Sequence, residues 1–112
     1  MKELMMIVTL VGNMTVTSYR SVPEQTDDSP YITSIGQRTH PHGVAVSQDL
    51  LKNGALKYGD FIVVEGYGIK VVNDTMHPRH KNHVDIWVET YNQEKAVGVK
   101  KLKIYRIRGT IK

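Results

Sequence analysis

The stretch Phe61-Ile62-Val63-Val64-Glu65-Gly66-Tyr67-Gly68-Ile69-Lys70-Val71-Val72 carries the strongest structural signal in this chain. An aromatic and three β-branched residues run into a Gly-Tyr-Gly turn and return through a second apolar run. Such side chains suit a pleated surface and glycine suits the reversal, so the stretch predicts a hairpin. The same texture recurs outward from it. Residues 4–11 and 14–19 read as strands separated by a Gly12-Asn13 turn. Tyr31 to Ile35 reads as a short strand ended by Gly36, and Gly43 to Val46 as a short buried one. Downstream, 84–90 and Lys101 to Ile107 complete the set. Helical signals are brief. Ser47 is placed to cap a turn that Asn53-Gly54 stops, and Asn92 to cap another through Ala96, ahead of Gly98. Leu56-Lys57-Tyr58-Gly59-Asp60 makes a turn whose aspartate satisfies backbone N–H groups. Asp60 and Glu65 are both assigned to structure. The expectation is an all-β chain with one or two very short helices. A closed or nearly closed barrel is favoured, because closure removes unpaired edges, with a sandwich as the alternative.

At 112 residues and 40% hydrophobic content the chain fits one domain, 1–112. The absence of cysteine excludes a disulfide scaffold, a thiolate zinc site and a cysteine nucleophile. The formal charge is +4, and Lys95, Lys100, Lys101, Lys103, Arg106, Arg108 and Lys112 crowd the C-terminal end. A basic balance favours an anionic partner: nucleic acid, a membrane surface or an acidic cell-wall polymer. The plainer reading of Lys100 to Lys103 is a solvated strand edge, where lysine discourages edge-to-edge pairing. Only Tyr105 interleaves the basic residues, so stacking platforms are scarce and no nucleic-acid partner is expected. The apolar run Leu4 to Val11 is far shorter than the roughly 20 residues of a membrane helix. Glu3 and the lack of a small-x-small site near Gly12 make it a poor signal peptide. No membrane span and no export signal of the chain's own are therefore expected. Residues 4–11 instead form a strand that could pair with another copy, giving a homo-oligomer.

With no Ser-His-Asp or phosphate-loop signature, carboxylates are the source of any chemistry. Two stations stand out, Asn73-Asp74-Thr75-Met76 and His83-Val84-Asp85-Ile86-Trp87, with a third at Thr26-Asp27-Asp28-Ser29-Pro30. Strand alternation sends Val84, Ile86 and Val88 to one face, and Asp85 with Trp87 to the other. An aromatic ring can stack on a sugar, while partial burial and a neighbouring Asp74 would raise the Asp85 pKa. The plainer alternative leaves Asp85 an exposed strand residue and Trp87 a barrel cap. His40, His42, His77, His80 and His83 invite a zinc or manganese site. Their spacing matches no ligand motif, and Arg79 and Lys81 disfavour a cation, so no metal or cofactor is expected.

Taken in order, these pieces resemble the 3D domain family, named for three aspartates and similar to the catalytic barrel of membrane-bound lytic transglycosylase A. The carriers are Val16-Thr17-Ser18-Tyr19, Thr26-Asp27 with Pro30, Ile32-Thr33-Ser34-Ile35-Gly36, Gly43-Val44-Ala45-Val46, the Gly59-Asp60 turn, Val63 to Gly68, Asn73-Asp74-Thr75, Val84-Asp85-Ile86 and Ala96-Val97-Gly98. The match spans residues 14–107, leaving 1–13 as an extra N-terminal strand. It implies a six-stranded double-psi β-barrel and a peptidoglycan lytic transglycosylase acting on glycan strands. On this resemblance Asp85 is the general acid, Asp74 tunes or orients it, and Asp27 (or Asp28, one register away) contacts substrate. Tyr19, Thr33, Trp87, His83 and Lys81 would bind the glycan. The chain departs from the family at Met76, at the loop His77 to His83, and at Ser47-Gln48. A non-catalytic glycan-binding or virion module, and a phage-encoded lysis factor, are the other readings of the same pattern.

Overall fold

The computed structural model describes residues 2–21 and 32–111. The third aspartate station, Asp27 with Asp28, lies outside these described residues, as does Tyr31. Six strands form a closed barrel: β1 (Leu4–Tyr19), β2 (Gly43–Val46), β3 (Phe61–Val64), β4 (Gly68–Thr75), β5 (His83–Trp87) and β6 (Lys100–Ile111). Around the barrel their order is β1-β5-β2-β4-β3-β6, with β1–β5 and β2–β4 parallel and the other neighbours antiparallel. Two short helices, α1 (Gln48–Lys52) and α2 (Tyr91–Val97), complete it. The expected all-β barrel is what forms, and the sandwich alternative is set aside.

Alternation builds the core. Val16, Val44, Val46, Ile62, Val64, Val72, Val84, Ile86 and Ile104 point inward and are buried. Leu50 of α1 and Leu56 after it join this cluster. Fully burying such a side chain contributes about 1.5–3 kcal/mol.

Residues 4–11 and 14–19 are one strand, not two. Gly12 and Asn13 make a β-bulge instead of a turn, with the register against β6 shifting between Leu10 and Gly12. Gly12 sits at φ 152°, a conformation side-chain-bearing residues rarely adopt. The extra residue reverses the strand's facing. Beyond the bulge Met14 and Val16 face the core, whereas before it Leu4, Met6, Val8 and Leu10 face outward and are exposed. Two outward rows cross four strands here: Val8–Ile107–Phe61–Val71 and Leu10–Tyr105–Val63–Ile69. Past Phe61, β1 and β6 continue alone as a two-stranded ribbon to the Leu4–Ile111 pair, and the molecule measures 51 × 28 × 25 Å.

Other expectations shift in detail. Of the expected strand at 31–35, the described residues 32–35 form a turn in which Ile32 and Arg38 make an isolated bridge. Helix α2 is capped by Thr90, in a capping box with Gln93, instead of by Asn92. Ser47 stands before α1 but makes no side-chain cap, because its hydroxyl accepts from His83 N–H. Lys100 to Lys103 pair with β1 on one side only, because the β3 ladder on the other side of β6 begins at Ile104. The basic run is also divided: Arg108 bonds Asp60, Arg106 donates to the Ala55 carbonyl, and Lys100 donates to Tyr67 and Ala96. Asp60 also accepts from Lys57 N–H, and Glu65 from Lys103 N–H, the structural roles expected of them. Among the described residues no helix is long and apolar enough to cross a membrane.

Candidate functional site

Strand register brings the two aspartates together. Thr17 lies opposite Asp85, Asp85 opposite Ala45, and Ala45 opposite Asp74, so one outward row crosses β1, β5, β2 and β4. A second irregularity, between Val44 and Ala45, sets the last pairing. Alanine between the two carboxylates is short enough for both to lean over it. Asp74 is held by three donors: Ser34 N–H at 2.9 Å, Thr75 N–H at 2.8 Å and the Tyr19 hydroxyl at 3.2 Å. Ser34 belongs to the 32–38 turn, which thereby folds over this side of the barrel.

Asp85 is differently held. The Thr17 hydroxyl donates to its Oδ1 at 2.8 Å, and the same hydroxyl lies 2.6 Å from His83 Nε2. A threonine hydroxyl has one proton. When Thr17 donates to Asp85, His83 Nε2–H must donate to Thr17. When Asp85 carries its own proton, both bonds can reverse. Thr17 thus connects the two titrating groups.

Burial pushes the Asp85 carboxyl up to about 6, helped by the negative charges of Glu94 and Asp74 and opposed by the Thr17 hydrogen bond. At pH 7 roughly a tenth of such a group stays protonated, against about a thousandth of an ordinary aspartate. Burial, then the charges of Asp74 and Asp85, raises the Tyr19 phenol, so it remains a donor at any ordinary pH. Desolvation, with the nearby charges of His80 and Lys101, lowers His83, which keeps its ring neutral around pH 7.

Trp87 shares the outward side of β5 with Asp85 and donates its indole N–H to Ser21 Oγ at 2.7 Å. Its ring lines a groove of about 310 Å³ with Tyr67, Pro41, Lys70 and Gln93. Neither Asp74 nor Asp85 lines that groove, which lies beside the carboxylates. Thr33 is buried in its own turn, where its hydroxyl accepts from Gln37 N–H. Lys81 is exposed, and its charge acts on Asp49 at the start of α1 instead of on the aspartate pair.

The structure therefore unites Asp74, Asp85, Tyr19 and His83, sets Trp87 alongside, and leaves Thr33 and Lys81 apart. Sequence reading passed over Thr17, Ala45, Ser34 and Glu94. Glu94 sits on α2, 3.4 Å from Arg20 Nε. The rings of His80 and His83 meet edge-on at 5.0 Å. Among the described residues no three His, Asp or Glu side chains gather as a metal-ligand set.

Comparison with protein-family models and with curated proteins returns no match for this chain.

Proposed function

We propose that the chain is a peptidoglycan lytic transglycosylase of the 3D-domain type, with Asp85 as its single general acid and base. The observation that carries this reading is the placement of Asp85: a half-buried carboxyl on the same outward row as a second carboxylate, where burial pushes its pKa up to about 6. The closed six-stranded barrel of mixed parallel and antiparallel strands is consistent with the double-psi arrangement that the resemblance implies.

In the proposed reaction Asp85 gives its proton to the oxygen linking N-acetylmuramic acid to N-acetylglucosamine, and the C1–O bond breaks. The C6 hydroxyl of the muramic residue closes onto C1 and returns its proton to the Asp85 carboxylate. The product is a 1,6-anhydro end, and no water is consumed. Asp74, held by Tyr19, Ser34 and Thr75, adds a negative charge beside Asp85 that joins burial in favouring its protonated form. The Trp87 and Tyr67 rings offer apolar surface for sugar faces.

The test is digestion of purified sacculi followed by mass spectrometry of the released muropeptides. The wild-type chain is expected to release anhydro-muropeptides and Asp85→Asn to release none above background. Equal release by both removes the assignment.

A second reading is a non-catalytic glycan-binding module of the same fold, and one feature favours it: the aromatic groove is separate from the carboxylates. Binding of glycan strands without cleavage by the wild-type chain would select it.

A further inference from the structure

The outward rows on the β1-β6-β3-β4 side are a separate feature. From the Leu4–Ile111 pair to the Leu10–Tyr105–Val63–Ile69 row, the register puts twelve positions on one surface. Eleven are apolar or aromatic, the twelfth is Gly109, and none is charged. Seven of them, including Leu4, Val8, Leu10, Phe61 and Ile69, are more than half exposed. Strand alternation elsewhere in this chain puts apolar residues inward, and here it puts them outward.

We infer that this face is the interface of a symmetric homodimer, packed against the same face of a second copy. Three observations point to a copy of the chain itself. Covering the exposed side chains would remove on the order of 800 Å² per protomer, about one side of a standard protein–protein interface. The chain carries a net charge of +4, yet none of these twelve strand positions is charged, so the strand rows of two copies meet without like-charge repulsion.

The third observation is shape. One end of the face is a protrusion, the ribbon bearing Leu4, Met6 and Ile111 beyond the last β3 pairing. The other end is a hollow of about 620 Å³ lined by Phe61, Ile69, Val71 and Tyr67 together with His40, His42 and Lys70. In a two-fold arrangement each ribbon tip enters its partner's hollow, and both contacts form together. The contact leaves the Asp74–Asp85 row free, because that row follows the other path around the barrel, through β5 and β2.

Sedimentation velocity on the full chain, from about 1 to 100 µM, tests this. The expected result is a concentration-dependent species of twice the 12.7 kDa chain mass. Leu10→Glu on β1 and Ile69→Lys on β4 each alter an exposed side chain, and each should weaken dimerisation at least tenfold with the circular dichroism spectrum unchanged. A wild-type chain that stays monomeric throughout overturns the proposal. A wild-type chain that stays monomeric yet floats with phosphatidylglycerol vesicles also overturns it, and assigns the face to lipid. A dimer that Ile69→Lys leaves untouched overturns face packing in favour of pairing along the β1 edge, since Ile69 lies far from that edge.

Discussion

Two paths lead around the barrel from β1 to β4, and their outer surfaces are opposites. Through β5 and β2 the outward row is Thr17, Asp85, Ala45 and Asp74, polar and partly covered by the 32–38 turn. Through β6 and β3 the outward rows are apolar and bare. Each inverts the usual economy of a fold. Polar groups are desolvated on one side, while greasy ones face water on the other. Both conditions carry a free-energy cost. The same two strands serve both sides, and the bulge at Gly12 lets β1 do so.

The largest expected effect separates the two surfaces. Asp85→Asn should lower anhydro-muropeptide release by about 10²–10⁴-fold, the range of general acid catalysis. Leu10→Glu, on the far side, should leave the rate per chain unchanged. If the Leu10 variant lost activity to a similar extent, the two surfaces would be coupled and the contrast would fail.

Next in size is Ala45→Leu. Ala45 is buried between the carboxylates, so the added bulk should cost about 1–3 kcal/mol, read as a lower urea midpoint, and should also reduce activity. A matched enlargement of exposed Val8→Ile should change stability by less than about 0.5 kcal/mol.

A smaller effect concerns pH. Burial favours neutral Asp85 in the folded chain, so its pKa of about 6 exceeds the ordinary value of 3.8. The stabilisation this brings is complete below pH 3.8 and is lost as pH rises through about 6. Asp85→Asn should flatten the stability profile across that window, as thermal melts at several pH values would reveal. Activity that needs the protonated acid should also fall as pH rises past about 6. Thr17→Val removes the hydrogen bond that holds this pKa down, and should move the alkaline limb of the activity profile upward.

The smallest effect expected is that of Tyr19→Phe. It deletes one 3.2 Å hydrogen bond to Asp74, worth about 0.5–1.5 kcal/mol in thermal or chemical denaturation.

Much of the fold is legible in the chain. Strands β2, β3 and β4 stand where β-branched runs and turn glycines put them, since those signals are local. The bulge was not legible. Gly12-Asn13 has the composition of a hairpin turn, and only its partner across β6 decides otherwise. Lengths were also misjudged: the apolar ends of β1 and β6 extend because they have each other, a fact separated by most of the sequence. At the site, the Asp74 and Asp85 stations can be read directly. Their convergence over Ala45 cannot, because it follows from the register of β2 against two distant strands. Thr17 enters only as part of the Val16-Thr17-Ser18-Tyr19 motif and not as a site residue, as a threonine in an alternating strand looks like any other good strand former. Glu94 likewise reads as one more charge on a short helix. Gly43 shows the same principle in reverse: a Cβ there would stand 2.7 Å from the buried Asn73 side chain, a clash no local pattern reveals.

The position of β6 also dictates how the molecule is made. It is the last strand of the chain, yet it lies between the first strand and the third, joining Leu4 to Ile111. The apolar half of β1 is therefore made well before residues 100–111, its partner across the ribbon. Closure over such sequence separations is slow, and a waiting unpaired strand invites aggregation.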